Sequence, residues 1–174
     1  ALPTQDRPRC VPVALKEEIK KKLRDLEKQE ILMKIEEPTE WISSAVYVKK
    51  PGKIRICLDP KELNKYVKIP KYRLPTMDDI ISNMKKVRMF TVMDAKDGFL
   101  QVRLEKESAK LTAFHTPFGR YMWKRMTFGI CSAPEEFQKQ LKNILGDLNG
   151  IKIIAEDILI IGQGESLQEA TKDH

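Results

Sequence analysis

Cysteine and histidine are scarce in this chain of 174 residues, which has three of the first and two of the second. Cys10, Cys57 and Cys131 lie far apart, no Cys-x-x-Cys occurs, and His115 and His174 form no metal spacing with them. That argues against a zinc site, and an odd, sparse cysteine count suits a reducing compartment. No apolar run approaches the ~20 residues of a membrane-crossing helix. No signal peptide opens the chain. The expectation is an intracellular protein, in a cytoplasmic particle or the nucleus, neither secreted nor membrane-bound. Internal repeats, low-complexity segments and a clear linker are all missing, as is any Ser–His nucleophile constellation. The chain opens on Ala1 rather than Met, as a piece of something longer would.

What is present is charge. Charged residues make up 33% of the chain and hydrophobic ones 41%, with a net charge of +7 and a pI of about 9.3. The length allows one domain, or two lobes sharing one, with roughly two-thirds of the unfolded surface buried. An excess of positive charge favours a polyanionic partner such as nucleic acid. The plainer alternative is that it only keeps the protein soluble.

The pattern of residues sets out the elements. Three prolines in residues 1–12 make an arm. Ile19, Leu23 and Leu26 recur at helical spacing in a helix expected from Leu15 to Met33, whose lysines, mixed with acids, read as a solvated face. Ala45–Val48 and Ile54–Leu58 form a hairpin around Pro51-Gly52. Thr76, with Asp79 three residues on, caps a helix through about Met84. A strand from Arg88 to Asp94 follows, then strands near Leu100–Leu104 and Leu111–His115, and another over Arg120–Met126. Ser132 opens a helix with an apolar stripe of Phe137, Leu141 and Ile144. A second hairpin spans Ile151–Ala155 and Ile158–Ile161, and a short helix starts at Ser166. Hairpin-paired strands alternating with helices predict an α+β fold whose sheet is antiparallel or mixed.

Carboxylates at the ends of apolar strands demand a partner. Asp94 closes one such strand, and Glu156-Asp157 interrupts another apolar run. Two Mg²⁺ ions would satisfy them, and two-metal sites serve phosphoryl transfer. Against this stands the ordinary frequency of Asp where strands end and hairpins turn.

The flanking motifs decide between these. Thr39-Glu40-Trp41-Ile42-Ser43-Ser44, the run from Val48 to Lys65, and Leu74-Pro75 resemble the fingers hairpin and its exit in reverse transcriptases of LTR retrotransposons, most closely the gypsy type. Val92–Val102 resembles the family's first catalytic motif. Thr116-Pro117-Phe118-Gly119, Arg125–Gly129, Ser132-Ala133-Pro134 and Phe137-Gln138 are similar to the segment shaping its nucleotide pocket. Ala155-Glu156-Asp157-Ile158-Leu159 stands where the family has its double-aspartate motif.

The resemblance implies a right-hand polymerase, with fingers over 1–67 and 102–132 and palm over 68–101 and 133–174. It implies DNA synthesis from dNTPs on an RNA or DNA template-primer. Asp94, Asp157 and Glu156 would be the catalytic carboxylates holding two Mg²⁺, for which Mn²⁺ could substitute. Arg55 and either Lys49 or Lys50 would meet the triphosphate, as would Ala95, Asp97, Gly98 and Phe99. Phe99 would screen the sugar for a 2′-hydroxyl, and Phe128 with Gly129 would floor the nascent base pair. Leu74, Pro75 and Gln138 would touch template. Tyr66, Tyr121 and Trp123 could stack on bases or simply pack.

Two departures stand out. Glu156 replaces the first aspartate of the usual pair, displacing a carboxylate by one methylene where about 1 Å can cost about a hundredfold in rate. The chain also ends soon after the acidic hairpin, whereas the family continues into a thumb and RNase H within a longer polyprotein. Weak or absent activity of the piece is expected on both counts. The alternative is a domesticated or degenerate copy serving as a nucleic-acid-binding or protein-interaction module. An unrelated basic RNA-binding domain on a ferredoxin-like sheet explains the charge but not the ordered motifs.

Overall fold

The computed structural model describes residues 2–70, 76–82, 84, 86–154 and 156–174. In chain order the elements are α1 (Val13–Lys28), β1 (Leu32–Ile35), β2 (Ser44–Lys50), β3 (Lys53–Asp59), α2 (Lys61–Asn64), α3 (Met77–Ile81) and β4 (Val87–Asp94). A 3₁₀ turn (Gly98–Gln101) leads to α4 (Lys106–Leu111), β5 (Phe114–Thr116) and β6 (Gly119–Trp123). The chain closes with α5 (Ala133–Leu145), β7 (Ile151–Ile154), β8 (Asp157–Gln163) and α6 (Leu167–Asp173). Two compact units divide it, one of Ala1–Lys68 and Phe99–Ala133, the other of Ile69–Gly98 and Pro134–His174.

In the first unit, Ile19, Leu23 and Leu26 turn one face of α1 onto the core. They meet Ile54, Ile56 and Leu58, which alternate along β3 as a half-buried strand requires. Phe114 is fully buried, with its ring stacked on Trp123 at 6.0 Å. Tyr121 and Trp123 are therefore core residues rather than platforms for bases. β1, β6 and β5 form one antiparallel sheet and β2–β3 a hairpin of their own.

Two expectations for this unit fail locally. The first helix ends at Lys28, not Met33, because Glu30 takes a φ of +55° and the Ile31 N–H turns back to the Leu26 carbonyl at 2.9 Å. Leu32–Ile35 is free to run as a strand, with Leu32 opposite Trp123. The region expected as a strand near Leu100–Leu104 is a 3₁₀ turn, with only an isolated bridge from Arg103 to Arg125. The unexpected α4 follows, its Glu107 and Lys110 paired at 2.9 Å one turn apart. It delays the next strand from Leu111 to Phe114.

The second unit is an antiparallel sheet ordered β4-β8-β7, with α5 and α6 among its helices. Thr76 and Asp79 form the reciprocal cap expected of them, though α3 stops at Ile81 rather than near Met84. Along α5, Phe137 is buried and Leu141 half-buried, but Ile144 faces solvent, so the apolar stripe is shorter than its spacing predicts. All strand pairs in the three sheets are antiparallel, and the architecture is α+β. Among the described residues, no helix is long and apolar enough to cross a membrane.

Candidate active site

The pairing of β4 with β8 sets Asp94 directly opposite Asp157. Residues opposite each other in an antiparallel pair share a face of the sheet, with Cβ atoms about 4.5–5.5 Å apart. Both aspartates are exposed. Two like charges so placed repel each other, and a divalent cation relieves that repulsion. Ile154 also faces Asp157 from β7, and Glu156 stands immediately before that pair's Asp157; Ala155 lies outside the described residues.

Backbone contacts fasten this corner. The Ala95 N–H donates to the Glu156 carbonyl at 2.9 Å, tying the loop after Asp94 to the turn before Asp157. The Gly98 N–H then closes onto the Ala95 carbonyl at 2.9 Å, with Asp97 left-handed at φ +51°, a region aspartate tolerates better than most residues. A Cβ on Gly98 would stand 2.7 Å from the Phe137 ring and 3.2 Å from Glu156 Oε1. Glycine is required there by packing within the unit, and the longer side chain of Glu156 brings its carboxylate beside Gly98.

Mg²⁺ is usually held by one or two carboxylates, with water and substrate phosphates completing an octahedron. Asp94 and Asp157 fit that donor set. Among the described residues, no group of three or more His, Cys, Asp and Glu could cage an ion unaided. Mn²⁺ suits the same oxygen donors.

In the first unit, three of the expected nucleotide residues come together. The Arg55 guanidinium lies 5.0 Å over the ring centroid of Phe128, and that ring packs 4.9 Å from Phe99. Phe99 is 7% exposed. The hairpin register separates the two candidate lysines. Val48 opposes Arg55 and Lys50 opposes Lys53, so Lys50 shares the face of Arg55. Lys49 opposes Ile54 on the other, core-bearing face and pairs with Glu18 of α1 at 2.8 Å.

Gly129 has a φ of +106°, and a Cβ there would stand 2.2 Å from the Leu58 carbonyl oxygen. Asn64 braces this loop from both sides. Its Nδ2 donates to the Gly129 carbonyl at 2.7 Å, and its Oδ1 accepts from the Cys131 N–H at 3.0 Å. No sequence argument singled out Asn64, although it stands in the Leu63-Asn64-Lys65 run that carries part of the resemblance. Gln138 is 3% exposed, and its Nε2 donates to the Ile153 carbonyl at 2.9 Å, so it braces β7 from α5. Leu74 and Pro75 lie outside the described residues.

Known proteins share this chain's sequence and backbone. An uncharacterized protein of Caenorhabditis elegans is 35% identical over 99% of the chain, which covers 14% of that relative. The retrovirus-related Pol polyprotein from transposon 297 of Drosophila melanogaster is 36% identical over 66% of the chain, which covers 12% of it. The chain thus spans a small part of the curated relatives it matches. A foamy viral protease–reverse transcriptase solved with double-stranded DNA superposes with a TM-score of 0.82 at 25% identity, covering 97% of this chain and 29% of that one. The family model described as "Reverse transcriptase (RNA-dependent DNA polymerase)" matches residues 47–173. Sequence, fold and the opposed aspartates agree, and the chain belongs to the reverse transcriptase family.

Proposed function

We propose that this chain is the fingers and palm portion of a gypsy-type retrotransposon polymerase, joining dNTPs to a primer 3′-hydroxyl on an RNA or DNA template. Its first unit would be the fingers and its second the palm. The observation that carries the reading is the register placing Asp94 opposite Asp157. Asp94 and Asp157 would hold two Mg²⁺, with water and substrate phosphates completing the ligands. When bound, such ions lower the pKa of the attacking hydroxyl and offset charge on the leaving pyrophosphate.

The chain's own groups orient the reactants. Arg55 is suited to grip phosphate bidentately, and Lys50, on the same face, adds a point charge. This favours Lys50 over Lys49 as the second triphosphate contact. The turn from Ala95 through Gly98 offers backbone and the Asp97 side chain beside the carboxylates. Phe99 would screen the sugar while its far side packs on Phe128, and Gly129 would fix the loop that carries Phe128. A polymerase of this kind would work inside the cell, in a particle or the nucleus.

Primer extension on RNA and DNA templates tests the proposal. Mg²⁺-dependent extension is expected, lost at least a hundredfold in Asp157→Asn. Glu156→Asp draws the carboxylate back by one methylene and should raise the rate by about ten- to a hundredfold. Extension indifferent to Asp157→Asn would refute the two-metal reading. Template binding with no extension by either the native chain or Glu156→Asp would favour a binding module derived from a polymerase. The carboxylate of Glu156 beside Gly98 is the observation that speaks for that second reading.

A further inference from the structure

A cleft of about 590 Å³ opens between α1 and the β2–β3 hairpin, entirely within the first unit. Lys21 and Lys22 line it from the helix, and Lys49, Lys50 and Lys53 from the hairpin. Two acids, Glu18 and Asp25, oppose these five cations. One of them is already engaged, since Glu18 pairs with Lys49 at 2.8 Å. The lining therefore keeps three positive charges in excess. Like charges concentrated in a concave surface repel one another and raise the local potential, so such a cleft recruits an anion.

The cleft straddles the hairpin. Lys49 and Ile54 belong to the side turned toward the core and α1, while Lys50 and Lys53, which share the face of Arg55, line the cleft beside Gly52 at the hairpin's tip. The lining also limits what is recognised. Among the described residues that form it there is no arginine to chelate a phosphate bidentately and no aromatic ring to stack a base. Lysines alone read a row of charges on flexible stems, which is how a phosphodiester backbone is held without regard to sequence. The distribution of charge agrees. The first unit carries 22 basic and 13 acidic residues, the second 10 and 12.

We infer that the cleft between α1 and the β2–β3 hairpin is a second nucleic-acid contact, holding the sugar–phosphate backbone of a single strand between Lys21 and Lys22 of α1 and the lysines of the hairpin.

The test uses the whole chain, a fluorescently labelled oligo-dT and anisotropy in EDTA, without dNTPs, so that polymerase activity plays no part. Lys21→Gln/Lys22→Gln removes two cleft cations while keeping good helix formers. Lys16→Gln/Lys28→Gln removes the same charge from α1 outside the cleft. The cleft pair should weaken binding about tenfold at low salt and reduce the slope of log affinity against log salt by about 1.4, the value for two single-strand phosphate contacts. The control pair should stay within about twofold of the native chain. Equal losses in both pairs would reduce the effect to overall charge and overturn the inference, as would no loss in the cleft pair. Displacement of oligo-dT by poly-glutamate of matched charge as readily as by unlabelled oligo-dT would overturn it too, since a strand-backbone site must prefer phosphate.

Discussion

At the scale of single residues, Gly129 is the most constrained position near the cluster of Arg55, Phe128 and Phe99. Its φ of +106° is open to glycine and strained for other residues, and a side chain would meet the Leu58 carbonyl at 2.2 Å. Both the strain and the collision with backbone must then be absorbed. Gly129→Ala should destabilise the chain by about 2–4 kcal/mol, read as a lowered urea midpoint with an unchanged slope. An unmoved midpoint would mean the loop can flip to a relaxed conformation at no cost. Asp94 and Asp157 were legible in sequence as carboxylates ending apolar strands, and the structure sets them opposite each other, exposed rather than buried. The bracing role of Gln138 was not legible, because an amide gives no local sign of its partner. Its bond to Ile153 exists only once α5 lies beside β7. Asn64 escaped notice for the same reason, since its two partners, Gly129 and Cys131, belong to a distant loop.

At the scale of elements, sequence succeeded where a cap or a turn residue fixes a boundary and failed where periodicity alone was available. Thr76 with Asp79 forms the reciprocal cap its spacing announces, and the helix expected to start at Ser166 does so, closed by a reciprocal cap of Ser166 with Glu169. Ile31-Leu32-Met33 suits a helix or a strand equally, and only the left-handed Glu30 and the waiting β6 settle it. α4 escaped because Lys106–Leu111 is too short for a convincing helical pattern. α6 depends on its cap more than a long helix would. It has seven residues, and helices of that length are marginal without outside support. Support comes from Ala170, fully buried, and from the Ser166 hydroxyl, which accepts the Glu169 N–H at 3.2 Å while the Glu169 carboxylate accepts the Glu165 N–H at 2.9 Å. Ser166→Ala should cost about 1 kcal/mol and speed amide exchange throughout α6. Unchanged exchange there would show that the seat of Ala170 alone holds the helix.

At the scale of the whole molecule, the two units differ in charge. The basic excess lies in the first, with the lysine cleft and Arg55, while the opposed aspartates lie in the second, which is slightly acidic. A cation and a polyanion should therefore stabilise different parts of one chain. A ligand at ten times its Kd adds about 1.4 kcal/mol to the state it binds, which slows exchange in the responsive segment on the order of tenfold. With Mg²⁺ alone, protection should rise along β4 and β8 around Asp94 and Asp157, and removal of the ion by EDTA should reverse it. With oligo-dT in EDTA, protection should rise instead in α1 and the β2–β3 hairpin. Asp157→Asn should abolish the first response and leave the second intact, because the asparagine neither repels Asp94 nor offers a full charge to the ion. Protection of the same segments by both ligands would contradict this division, and a Mg²⁺ response that survives Asp157→Asn would remove the opposed aspartates as the ion's anchor.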